Sequence, residues 1–144
     1  MPRLKAVIDI DAPREHVFAA AEPLKMPEWT VHISEVTVTE GDGKTVGTKD
    51  RTIISVTPRK NTLESEWTEY SPGEAWARTF TGYLEGDERI SLMAVDGGTH
   101  LEWTYNYKPP FGIIGQIGAL LVTSRVVQNN MESSLDTLKR ELEL

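Results

Sequence analysis

The sequence predicts an α+β protein, with a seven-stranded antiparallel sheet curved around a long C-terminal helix and two short helices between the first two strands. Three observations carry this. Residues 4–18 switch from period-two alternation to helical spacing at Ala12-Pro13. Six further alternating segments come next, separated by short turn compositions. From about Phe111 to Leu142 the apolar period becomes helical.

In the first segment Leu4, Ala6, Ile8 and Ile10 share one strand face, and Lys5, Asp9 and Asp11 take the other. Pro13 suits the first helical position, where its missing N–H costs nothing. Glu15 then falls two positions later and can reach back to the first turn's unpaired donors. Val17, Phe18 and Ala21 give this helix an apolar side, and Pro23 and Pro27 keep the next stretch to short helical pieces. Pro27-Glu28-Trp29 marks the exit.

Strands are then expected at about 33–40, 46–56, 61–70, 75–84, 88–96 and 99–108. Gly41-Asp42-Gly43, Pro58-Arg59-Lys60-Asn61, Ser71-Pro72-Gly73, Glu85-Gly86-Asp87 and Asp96-Gly97-Gly98 separate them. Such short connections imply an antiparallel meander. In the closing helix Ile117, Leu120, Ser124, Val127, Met131, Leu135, Leu138 and Leu142 form one stripe. A sheet with one solvated face needs a cover for the other, and only a helix of about 30 residues, about 45 Å long, is adequate.

Composition narrows the class of partner. The chain has 144 residues, consistent with a single domain over 1–144, and 22 acidic against 15 basic residues give a net charge of −7. No Lys/Arg cluster interrupts that balance, so nucleic acid and anionic membrane surfaces are poor partners. The absence of cysteine excludes disulfides, thiolate metal sites and cysteine nucleophiles. No apolar signal-peptide core precedes the first strand, and a cytoplasmic location is expected. The uncharged run 109–124 falls short of the roughly 18 residues a transmembrane helix needs, and no transmembrane segment is expected.

Several motifs together resemble the START-like (SRPBCC) superfamily, in its polyketide cyclase/dehydrase-like branch. They are Ile8-Asp9-Ile10-Asp11-Ala12-Pro13 with Val17-Phe18, Pro27-Glu28-Trp29, Val46-Gly47-Thr48, and Tyr70-Ser71-Pro72-Gly73. Gly98-Thr99-His100-Leu101-Glu102-Trp103 and the ending Leu135-Asp136-Thr137-Leu138-Lys139 complete the set. The resemblance covers nearly the whole chain and implies a helix-grip fold. It also implies binding of a hydrophobic small molecule, with a minority of relatives using the same cavity for catalysis.

Alternation then nominates the lining. Thr99, Leu101, Trp103, Tyr105 and Tyr107 share one face, as do Ile90, Leu92 and Ala94, and Leu63, Ser65 and Trp67. Phe80 and Ile54 are expected inside as well. The candidate ligand contacts are therefore Trp29, Ile54, Trp67, Phe80 and Leu92 on one side, together with Trp103, Tyr105 and Tyr107. From the closing helix come Ile117, Leu120, Leu121 and Ser124. Aromatic side chains with polar tips suit a ligand wall, although the same rings can simply fill a core.

Phe111–Leu121 carries glycines at 112, 115 and 118 and more apolar surface than one helical stripe buries. It reads as a gate over the cavity mouth, as a partner-binding patch over Ile113–Leu121, or as close packing in which glycine gives room. The glycine spacing is not a nucleotide-binding fingerprint, and no cofactor is expected.

Catalytic signals are sparse. His16, His32 and His100 have no metal-ligand spacing, and no metal site is expected. An interior acid or base would have to come from Asp50, Glu69, Arg78, His32 or a tyrosine hydroxyl, and Asp50 or Arg78 could instead pair across strands. Two readings from different classes remain. The favoured one is a non-enzymatic carrier or sensor of a lipid-, polyketide- or isoprenoid-like molecule. The other is a cyclase, dehydratase or hydrolase acting on such a molecule. A buried ionisable residue with a shifted pKa would favour the enzyme, and an apolar wall with hydroxyl tips the carrier. Oligomeric state, monomer or homodimer, is left open.

Overall fold

A computed structural model describes the backbone of residues 3–55, 60–108 and 117–144, and the side chains of all of these except 117–123. The chain begins with strand β1 (Arg3–Ile10), helix α1 (Arg14–Ala21) and a 3₁₀ segment (Pro23–Glu28). Six strands come after it: β2 (Ile33–Glu40), β3 (Lys49–Ser55), β4 (Lys60–Ser71), β5 (Ala75–Gly82), β6 (Glu85–Val95) and β7 (Gly98–Lys108). Helix α2 (Ile117–Leu142) closes the fold. All seven strands lie in one sheet, in the order β1-β7-β6-β5-β4-β3-β2, and each neighbouring pair is antiparallel. This is the helix-grip fold predicted from the sequence.

Curvature has local causes. Register shifts between Ile33 and Glu35, between Val38 and Glu40, and between Trp67 and Glu69 insert extra residues that bend the sheet. A side chain at Gly86 would collide with the Asn106 carbonyl, so glycine is required where β6 begins to press against β7. At Gly82, which has a φ of +123°, a Cβ would lie 2.5 Å from the Thr62 carbonyl oxygen.

Helix α2 lies along β1 and covers that edge. Gln128 Nε2 donates to the Lys5 carbonyl at 3.0 Å, and Lys139 Nζ donates to the Asp9 carbonyl at 2.7 Å. The Asp11 amide donates to Glu143 at 2.8 Å, and the Val31 amide donates to Ser134 Oγ at 3.0 Å. Val127, Met131, Leu135 and Leu138 are buried as the stripe requires. Trp76 Nε1 donates to the Ala21 carbonyl at 2.9 Å and ties the end of α1 to the sheet.

Three expectations change. The turn expected at Glu85-Gly86-Asp87 lies inside β6, and the chain reverses at Tyr83 and Leu84 instead. Pro13 is the N-cap rather than the first helical residue, with extended backbone (φ −65°, ψ 152°), and its carbonyl accepts the first helical bond from Val17. The extended ψ accounts for the difference, since it leaves Pro13 outside the helix and Glu15 one position nearer its start. Ala94 is exposed, although it has the parity of the buried Ile90 and Leu92. It sits near the Asp96–Gly97 turn, where the strand runs past the covering elements. The gate expected at Phe111–Leu121 and the partner patch at Ile113–Leu121 lie outside the residues whose side chains are described. Among the described residues, no helix is long and apolar enough to cross a membrane.

The stripe makes a stability prediction. Met131 is fully buried, so Met131→Ala should lower the unfolding free energy by about 2–5 kcal/mol, and Met131→Asp by more because its charge has no partner. Denaturant unfolding checks this. A loss below about 0.5 kcal/mol for both variants would contradict the packing of α2.

Candidate functional site

Strand register assembles the site in rows across the sheet. Trp67 stands opposite Arg78, Arg78 opposite Glu88, and Glu88 opposite Tyr105, so one row crosses β4, β5, β6 and β7. A neighbouring row runs Trp76, Ile90, Trp103. On the other side stand Asp50, Ser65, Phe80, Gly86 and Tyr107. All these side chains except that of glycine point to the buried face.

At the centre of the first row is a buried ionic cluster. Arg78 Nε donates to Glu88 at 2.7 Å, and one terminal nitrogen donates to Asp50 at 3.0 Å and to Thr52 Oγ1 at 3.1 Å. Its other terminal nitrogen lies 3.6 Å from Met26 Sδ. The carboxylates have further donors. Trp67 Nε1 binds Asp50 at 2.8 Å, Thr52 Oγ1 binds Asp50 at 2.7 Å, and Trp103 Nε1 binds Glu88 at 3.0 Å. The guanidinium also lies 5.6 Å from the Trp76 ring centroid. Burial opposes the Arg78 charge, but the carboxylates of Glu88 and Asp50 outweigh it and hold its pKa above the ordinary arginine value. Removing one member of such a cluster leaves an uncompensated buried charge, a loss of about 3–5 kcal/mol.

Aromatic rings cover the cluster's flanks. Trp29 meets Trp103 edge-on with centroids 5.4 Å apart, and His32 stacks on Trp103 at 6.3 Å. Phe80 stacks on Tyr105 at 5.2 Å, and Tyr105 meets Tyr107 at 5.7 Å. Trp67 stacks on Tyr70 at 5.5 Å, and Tyr70 and Phe18 form a T-shaped pair at 5.4 Å. Tyr107 donates its hydroxyl hydrogen to Ser124 Oγ at 3.0 Å, linking the sheet to α2.

Titration behaviour is set by burial. Desolvation, reinforced by the Arg78 charge, pushes His32 down to about 4, so the imidazole is neutral at physiological pH. Burial, with the Glu88 charge, raises Tyr105 well above the usual phenol range. Tyr107 is also raised by burial, partly offset by its bond to Ser124. Among the described residues, the buried Trp29 Nε1, His32 Nδ1 and Ser65 Oγ have no hydrogen-bond partner.

Of the twelve nominated contacts, Trp29, Ile54, Trp67, Phe80, Leu92, Trp103, Tyr105 and Tyr107 are buried, and Ser124 is half-buried. The structure brings Trp29 onto Trp103, and Phe80 and Tyr107 onto Tyr105. Ile54 stands opposite Ile33 and Asn61 within the same buried core, and Leu92 stands opposite Leu101 beyond Trp103. The side chains of Ile117, Leu120 and Leu121 fall outside those described.

Glu69 is not an interior acid. It lies past the β4 irregularity, partly exposed, and pairs with Arg89 at 2.8 Å. His100 bonds Asp9 at 2.6 Å on the outer face, and His16 is exposed. Sequence reasoning missed Glu88 and Thr52 as interior groups, yet each has the parity of its buried neighbours: Glu88 with Ile90 and Leu92, Thr52 with Ile54. Among the described residues, no group of three or more His, Cys, Asp or Glu is placed to hold a metal.

The family described as polyketide cyclase/dehydrase and lipid transport matches residues 1–143. The chain belongs to this family. Its fold is similar to that of TTHA0849 from Thermus thermophilus (21% identity, TM-score 0.81), with 98% of this chain and 97% of that one covered. It is also similar to the Zhui aromatase/cyclase from a Streptomyces species (17% identity, TM-score 0.81), covering 99% and 93% of the two chains. A START superfamily protein from Mycobacterium smegmatis matches at 11% identity and a TM-score of 0.78, covering 98% and 97%. No curated protein matches the chain. At these identities the solved structures establish the fold alone.

The His32 shift predicts a pH effect. Between about pH 6.5 and 4 the unfolded chain binds a proton at His32 that the folded chain does not, so stability falls as pH drops through this window. The expected loss is roughly 3 kcal/mol. In denaturant unfolding, His32→Gln should lack this component while keeping the acid sensitivity of the carboxylates. Parallel profiles for the two proteins across the window would contradict a buried neutral His32.

Proposed function

We propose that this chain acts as one domain that binds a hydrophobic small molecule, lipid-, polyketide- or isoprenoid-like, between the inner face of the sheet and α2, as a carrier or sensor. The observation that carries this reading is the aromatic inner face. Trp29, Trp103, Phe80, Tyr105 and Tyr107 form ring contacts across β5, β7 and the segment before β2. Large rings with few polar tips make a surface suited to an apolar ligand. Family membership points the same way, since the family is described by both cyclase/dehydrase and lipid-transport activities. Ile117, Leu120, Leu121 and Ser124 would complete the lining from α2.

A cyclase or dehydratase is the second reading, and a specific observation favours it: the inner face is not wholly apolar. It contains Arg78, Asp50 and Glu88 and a strongly shifted His32. The directions of the shifts nevertheless favour binding over proton transfer. General acid–base catalysis works best with a pKa near the operating pH. Here His32 is moved far below neutrality, Tyr105 far above it, and Arg78 is matched by two carboxylates. These groups can orient a ligand while exchanging no protons with it.

Binding of an uncharged apolar dye, and its displacement by fatty alcohols, flavonoids and polycyclic phenols, tests the proposal. Saturable binding with quenching of tryptophan fluorescence is expected, and Phe80→Leu, which removes a ring stacked on Tyr105 but no hydrogen bond, should weaken it about threefold. No saturable binding across that panel would contradict a carrier. Turnover of a bound poly-β-ketone, lost in His32→Phe, would favour the enzyme instead.

A further inference from the structure

We infer that Trp29 and His32 form a polar subsite that holds one uncharged oxygen, a hydroxyl or carbonyl, of the apolar ligand. This inference rests on the ligand-binding reading above. Both residues lie in the link between the 3₁₀ segment and β2, and both rings pack against Trp103. Trp29 Nε1 and His32 Nδ1 are buried, and neither has a partner among the described residues. Trp103 satisfies neither atom, because its own N–H is directed to Glu88.

An unpaired buried polar atom is costly, so two beside one ring call for a partner beyond the described residues, which a ligand can supply. Its chemistry is dictated by the donors. Trp29 Nε1 can only donate, so the partner must accept. His32 is neutral and offers one donor and one acceptor nitrogen. A hydroxyl can accept from Trp29 and take either role toward His32. A carbonyl can accept from Trp29, and from His32 when Nδ1 carries the proton. A water in the apo protein would make the same bonds, and a ligand oxygen reproduces them on displacing it.

Charge narrows the class further. A cation would face the Trp29 donor. A carboxylate would be desolvated with no unmatched buried cation among the described residues to receive it. The Arg78 charge reaches His32, but Arg78 Nε is bonded to Glu88 and a terminal nitrogen to Asp50 and Thr52. One guanidinium against two carboxylates leaves no formal positive excess to neutralise an anion. The ligand class is thus an apolar alcohol, phenol or ketone rather than a fatty acid.

Calorimetric titration at pH 7 with naphthalene, 2-naphthol and 2-naphthoate tests this, using the wild type, Trp29→Phe and His32→Phe. In each variant 2-naphthol should bind about three- to tenfold more weakly, the range of one net hydrogen bond, while naphthalene changes less than about twofold. In the wild type 2-naphthoate should bind at least about tenfold more weakly than 2-naphthol. Equal losses for naphthalene and 2-naphthol, no loss for either, or tightest binding of 2-naphthoate would overturn the subsite while leaving ligand binding intact. If a variant does not fold, the wild-type ranking decides. In that case 2-naphthol binding no better than naphthalene, after correction for their partition between water and hydrocarbon, overturns it. Failure of all three compounds and of the wider apolar panel would overturn the ligand-binding reading, and the subsite with it.

Discussion

Arg78 is a guanidinium 2% exposed, and the side chains around it are arranged to keep it charged and hydrogen-bonded. Its carboxylate partners come from β3 and β6, on either side of its own strand β5. Trp67 from β4 and Trp103 from β7 bind those carboxylates through their indole N–H groups. Five adjacent strands thereby share one hydrogen-bonded network on the inner face. A one-residue slip in any of them would turn its member to the outer face and strip hydrogen bonds or a counter-charge from the buried groups left behind, so the cluster fixes register as well as composition.

The same cluster sets the character of the surface that α2 covers. Because the Trp67 and Trp103 N–H groups are directed to carboxylates, these rings present mainly apolar carbon to their neighbours. Burial, reinforced by the Arg78 charge, keeps His32 neutral. An ionic core can thus lie beneath a buried inner face whose chemistry is aromatic and uncharged. The charges stabilise the sheet's register, and the ligand would meet the rings.

Alternation carries most of the fold in the sequence. The strands of residues 33–40 and 99–108, and the stripe Val127–Met131–Leu135–Leu138, come directly from period two and period 3.6. The aromatic part of the candidate site is legible for the same reason. The ionic part is legible only in fragments, because alternation is ordinarily applied to apolar residues and charged ones are assigned to water. Asp50 and Arg78 are visible as a possible cross-strand pair, whereas Glu88 shares the parity of Ile90 and is hidden by its charge. No periodicity reports that one arginine reaches two strands, since that depends on sheet curvature. Ala94 shows the converse: parity places it inside, but the strand outruns its cover. Glu69 is displaced by an irregularity in register after Trp67, which composition does not announce.

An apolar ligand entering against Trp29 and Trp103 would be reported separately by the four tryptophan indole N–H groups. Trp67, Trp76 and Trp103 donate to Asp50, Ala21 and Glu88, whereas Trp29 has no partner among the described residues. Two-dimensional ¹H–¹⁵N spectra of the indole region, recorded as an apolar phenol is titrated, therefore decide where the ligand sits. The Trp29 N–H should shift downfield and saturably as it gains an acceptor, Trp103 should shift less because it feels only the ligand's ring, and Trp76 should not move. Saturating shifts confined to Trp76, or four unmoved resonances, would refute ligand entry against this pair of rings.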